Sequence, residues 1–198
     1  MGAGQPVRRL GRRRWPAVGG VLGPASFIAA WAVLGARAQG YDPTRQAISR
    51  LAAFGASSRP AMTAGLVILG AGMILYGLAV QPDRVWPWPV ANGLTTLAVA
   101  AIPLGGGHDT VHGIAAGVGY VTLAAIPLAH RDHRSRLAGA VCGLSLLASV
   151  LVSRGGLLQR LGLTAGQLWV VVSALRLLRS PTSSSTTPRA RGPEARRR

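Results

Sequence analysis

Apolar residues in this chain come in long blocks, not at the alternating or three-and-four spacing of elements that are half in water. Six blocks stand out, at about residues 15–36, 61–80, 85–104, 111–129, 137–153 and 161–178. Each runs for 17 to 22 residues. An α-helix needs about 20 such residues to cross a bilayer core of about 30 Å. The pattern therefore predicts an all-α membrane protein, a bundle of six transmembrane helices. The first block also fits a secretory signal, because a basic start precedes it and Ala36-Arg37-Ala38 follows it. Its length favours a retained first helix over a cleaved leader.

The longest polar gap, 37–60, has a pattern of its own. Asp42 suits a helix N-cap, Pro43 the first helical position and Gly55 the C-terminal cap. Ile48, Leu51 and Ala52 fall on one helical face, with Tyr41 and Phe54 at the ends and Arg45 and Ser49 on another face. This predicts a short amphipathic helix in the first outer loop, lying on the membrane surface or capping the bundle.

Charge fixes the expected orientation. The formal net charge is +17, and all 22 basic residues are arginine. They cluster at the two ends and in the gaps between blocks, as topology signals do. With both termini inside, 16 arginines face the cytoplasm and 6 face out. The reading is a multi-pass protein of the cell membrane with cytoplasmic N- and C-termini. Residues 1–14 form a basic tail, 15–179 the six-helix domain, and 180–198 a disordered basic tail too poor in apolar residues to fold. The expected partners are the bilayer and anionic headgroups at the arginine-rich ends. Nucleic acid is not expected, since no folded basic module with interleaved aromatics is present. Small residues four apart, at Gly19/Gly23, Gly113/Gly117, Gly139/Gly143 and Gly162/Gly166, suit close helix packing. The single cysteine, Cys142, sits in an apolar block and reads as packing.

Candidate chemistry concentrates in Ile102–Gly113, IPLGGGHDTVHG, with two of four histidines and one of five acidic residues. His108 and His112 are four apart, as paired metal ligands on a helix are. Asp109 could orient the His112 ring or act as a third ligand. Ser49 and Asp42, on the same outer side, could complete a site. A zinc-like metal held by His108, Asp109 and His112, with help from Ser49, would give a membrane-embedded hydrolase at the outer ends of spans three and four. The same residues also have a purely structural reading. Asp109 can N-cap span four, His112 can bond a loop carbonyl, and the three glycines can make a tight turn. No metal or other cofactor is required by the sequence. His130, Asp132 and His133 read as a loop facing headgroups, and charges deep inside the spans are not expected.

Three stretches resemble a known family. They are GYDPTRQAISRLAAFG after span one, with its Tyr-x-Pro…Ser-x-Leu pattern; His112 at the start of span four, following an acidic residue; and GLLQRLGLTAGQLWVVVSALRLL, residues 156–178. Over roughly residues 15–179 the chain is similar to the bacterial six-helix membrane family catalogued as domain of unknown function 998. That resemblance implies the six-helix fold and supplies no reaction. Family members usually have a longer loop between spans three and four, so no role is carried over to Asp109. The functional expectation is a non-enzymatic membrane protein that binds lipid or a partner. The alternatives are the metal-dependent hydrolase and a small carrier, whose polar cavity would need Asn92, Thr95, Thr96 and Gln167.

Overall fold

A computed structural model describes residues 14–180, and the basic tails expected at 1–14 and 180–198 lie, but for Arg14 and Ser180, outside them. Six α-helices follow in order: α1 Gly19–Arg37, α2 Arg59–Ala79, α3 Pro87–Ala101, α4 Asp109–Leu128, α5 His133–Ser149 and α6 Gly155–Arg179. A 3-10 turn, Trp15–Val18, leads into α1, and a second, Ile48–Ala52, lies between α1 and α2. No strand occurs among the described residues. Four helices are long and apolar enough to cross a membrane: α1 with its leading turn, α2, α4 and α6. α3 and α5 have 15 and 17 residues, or about 22 and 25 Å at 1.5 Å per residue, shorter than the hydrocarbon core. This is a multi-pass membrane protein.

Each helix packs on its chain neighbours, and α6 closes the ring against α1. Short loops force that up-and-down order at every step except the first, where residues 38–58 intervene. Small residues set the close approaches. A Cβ on Gly72 of α2 would come within 2.9 Å of the Gly23 Cα of α1. A Cβ on Gly166 of α6 would meet the Cys142 sulfur at 2.9 Å and Leu123 at 2.8 Å. Gly113 and Gly117 differ from the expected pattern, since a Cβ on either meets nothing within 4 Å. That pair faces outward from the ring.

The first loop departs from the predicted α-helix. The Asp42 carboxylate accepts from the Thr44 backbone N–H at 2.9 Å and from its hydroxyl at 2.7 Å. It therefore closes a local turn and caps no helix. Ala47 is extended, and only the five residues Ile48–Ala52 coil, as a 3-10 helix. The predicted apolar face survives: Ile48, Leu51 and Ala52 are buried, turned into the bundle and not toward lipid. Gly55 is not the C-cap expected of it, since the 3-10 helix ends at Ala52 with Ala53 in that position; with φ +80° it makes a separate turn two residues further on.

Candidate functional site

Under the first loop lies a cavity of about 80 Å³, room for on the order of six waters or a group of that size. One wall is apolar, with Phe27 of α1, Met62, Leu66 and Leu69 of α2, and Leu123 and Leu163. The opposite wall is polar, and helical spacing explains why. Asn92, Thr95 and Thr96 share one face of α3, and His112, Gly119 and Tyr120 share one face of α4. α6 adds Gln159 and Gln167, and the 3-10 helix adds Ile48 and Ser49 from above.

Much of this polarity is internally satisfied. The Asn92 amide donates to the Gly119 carbonyl at 2.8 Å and to the Thr122 hydroxyl at 3.2 Å. The Thr95 and Thr96 hydroxyls donate back to carbonyls one turn earlier, at 3.1 and 2.8 Å. That spends their protons and leaves oxygen lone pairs. Two atoms of this lining have no partner among the described residues: His112 Nε2 and Gln167 Oε1. His112 is 4% exposed and Gln167 1%. The His112 Nδ1 lies 2.6 Å from the Ile102 carbonyl, which ends α3. A carbonyl only accepts, so Nδ1 carries the proton and the neutral ring keeps its lone pair at Nε2. The lining thus offers mostly acceptors, with the Ser49 and Tyr120 hydroxyls able to donate as well, and no Asp, Glu, Arg or Lys stands among its described residues.

The loop above is latched by α6. Gln159 accepts from the Ile48 N–H at 2.8 Å and donates to the Tyr120 hydroxyl. The Leu157 N–H donates to the Thr44 carbonyl at 2.9 Å, so the loop caps the N-terminus of α6. Gly156 permits the contact, since a Cβ there would lie 2.5 Å from the Gln46 carbonyl. Arg160, only 7% exposed, donates to the carbonyls of Gln46 and Gly156 at 3.1 and 2.8 Å and to the Tyr41 hydroxyl. Its guanidinium sits 5.4 and 5.5 Å from the Trp31 and Tyr41 ring centroids. Carbonyl dipoles and ring faces, not a carboxylate, hold this charge. Burial raises the Tyr41 phenol above its ordinary value, with the Arg160 charge acting against it. On the other side, the Phe54 N–H donates to the Leu104 carbonyl at 2.9 Å, tying the loop to the α3–α4 turn.

Of the residues put forward for a hydrolase site, only His112 and Ser49 come together, on the wall of this cavity. His108 is exposed at the N-cap position of α4. Asp109 is the first residue of α4, not its cap, and its carboxylate accepts from the Gly105 N–H at 2.7 Å, stapling the glycine turn. Asp42 is occupied in its own turn. The three proposed metal donors thus part company. Among the described residues no group of three or more His, Cys, Asp or Glu side chains could hold a metal ion. Asn92, Thr95, Thr96 and Gln167 do line one cavity, as the carrier reading required. Sequence reasoning missed Gln159, Arg160 and Tyr120. It began the sixth block at Leu161, whereas α6 begins at Gly155 and carries Gln159 and Arg160 within it. The polar pair Gln159-Arg160 inside GGLLQRLGL was the available clue.

No curated protein and no solved structure matches the chain. A family model does match, over residues 21–176, covering all six helices but for the ends of the first and last. Its description is "Protein of unknown function (DUF998)", and the chain belongs to that family.

Proposed function

We propose that this protein is a non-enzymatic membrane receptor or carrier for a neutral, hydroxyl-bearing amphiphile, such as an acylglycerol or a long-chain alcohol. One observation carries the reading: a buried cavity with an apolar wall facing a wall of acceptors, two of which, His112 Nε2 and Gln167 Oε1, lack a partner. Ligand sites are mostly apolar with a few convergent polar groups. Orphaned buried acceptors cost about 1–3 kcal/mol each, and hydroxyl donors would relieve them. With no charged side chain on the wall, a charged headgroup would lie there uncompensated. The arginine partition supports six crossings with both ends cytoplasmic, which puts the lidded cavity in the outer half of the membrane.

The test is binding of monoacylglycerol to the purified full chain, read by native mass spectrometry. Wild type should retain it, while Gln167→Met and Ala116→Phe, which fills the cavity from its α4 side, should not. Equal retention by all three would refute the assignment. A second reading, acyl-ester hydrolysis with Ser49 as nucleophile and His112 as base, is favoured because both line the cavity and Nε2 is the free ring nitrogen. Labelling by a fluorophosphonate probe, lost in Ser49→Ala, would establish that reading over simple binding.

A further inference from the structure

At the opposite end of the bundle, between α5 and α6, a surface groove of about 420 Å³ has a lining unlike the cavity's. We infer that it is a binding site for one anionic phospholipid of the adjoining leaflet, with the phosphate between Arg134 and Arg176 and an acyl chain along Leu168 and Ala165.

Four observations converge. Arg134 comes from the first turn of α5 and Arg176 from the last turn of α6, so two elements place guanidinia at one mouth. Both are exposed, and neither guanidinium makes a hydrogen bond or ion pair within the described residues. Guanidinium pairs suit phosphate oxygens by charge and by their forked donors. The one carboxylate at the mouth, Asp132, is taken up by the Ser135 N–H at 2.9 Å as the cap of α5. The mouth therefore keeps a positive balance.

Below the mouth the groove changes character. Ser135 and Ser173 lie at the level where a glycerol backbone would follow the phosphate. The Trp169 indole donates to the Ser135 hydroxyl at 3.1 Å and stands at 4.7 Å from the His130 ring. Indoles favour this depth, with an apolar body and a polar edge at the interface. Apolar lining runs alongside and below it, from Val172 and Ala138 down to Leu168 and Ala165. Arg176 and Ala165 are 11 residues apart on α6, about 16 Å along its axis, the length of a dozen or so methylenes. The small side chains of Ala138 and Ala165 keep the track open. A protein segment or a soluble anion would use only part of this sequence of positive mouth, polar neck and apolar track.

The test uses the full chain in nanodiscs and native mass spectrometry, comparing phosphatidylglycerol with phosphatidylcholine. One phosphatidylglycerol per chain should be retained preferentially. Arg134→Gln with Arg176→Gln should weaken that retention by about tenfold or more, since both cations facing the phosphate are lost. Arg84→Gln with Arg179→Gln, outside the groove, should leave it nearly unchanged. Ala138→Leu, which keeps both charges and obstructs the track, should also lose it, so a misfolded double variant cannot decide the outcome alone. Inorganic phosphate at millimolar level should not displace the lipid. Equal retention of the two lipids, equal loss in both arginine pairs, or displacement by phosphate would each overturn the site.

Discussion

The two ends of the bundle solve the problem of polar atoms beside lipid in opposite ways. At one end, residues 38–58 fold back, and a carbonyl, an N–H group and a phenol hydroxyl of the loop find side chains of α6 more than 100 positions along the chain. Even a guanidinium is internalised there. At the other end the loops are short and the arginines point outward. The first end is built like a soluble core, in which the loop's polar groups are answered from within the protein and the few left over face the cavity or the rings beside it. The second is built like an interface, in which charge is left for the surroundings to answer. A site for a neutral ligand fits under the first and a site for an anionic one at the second, because each end has already decided which charges it satisfies itself.

The sharpest way to break this contrast is Arg160→Ala. It removes a charged donor from the Gln46 and Gly156 carbonyls and from the Tyr41 hydroxyl, which keeps its own bond to the Ala47 carbonyl, and should cost about 3 kcal/mol, read as a lowered melting temperature in detergent. Arg160→Lys should recover only part of this, because one ammonium cannot reproduce a fork. Gly156→Val comes next, at about 2 kcal/mol by overpacking. Here hydrogen exchange should rise across residues 43–52 and stay unchanged in α5. Gln167→Met has the opposite sign. It replaces an orphaned acceptor by an apolar side chain of similar length, and should raise stability by about 1 kcal/mol while lowering ligand retention. A destabilised Gln167→Met would mean that the protein itself satisfies this oxygen. The smallest effect lies at the arginine end. The Ser135 hydroxyl, and then its N–H, hold the Asp132 carboxyl below its ordinary value. A lowered folded value stabilises the cap above the unfolded pKa, near 4, and that contribution is lost as pH falls through the folded one. Exchange at the first amides of α5 should therefore speed up between pH 5 and pH 2, beyond the intrinsic change, and Asp132→Asn should flatten the response.

The helices were legible because block length and apolar content act locally. The inward face of the 3-10 helix was legible too, since Ile48, Leu51 and Ala52 keep their grouping whether the backbone coils tightly or loosely. Its type was not, because Asp42 could cap a helix or close a turn, and Thr44 two residues on settled the matter. The same ambiguity misplaced Asp109, whose carboxylate turned back to Gly105. The meeting of His112 with Ser49, and the latch through Gln159 and Arg160, depend on how the sixth helix closes against the first. No local pattern encodes that closure.

That latch also orders the assembly of the chain in time. The bonds from Gln159 to Ile48 and from Arg160 to Tyr41 span 111 and 119 positions. When the first five helices have entered the membrane, the lid has its sequence but not its anchor, and the turn at Pro43–Arg45 has no helix end to cap. Only the last helix seals the cavity. The lid can therefore serve as a report on completeness: a chain halted before α6 displays a loose, cleavable loop, and a finished one conceals it.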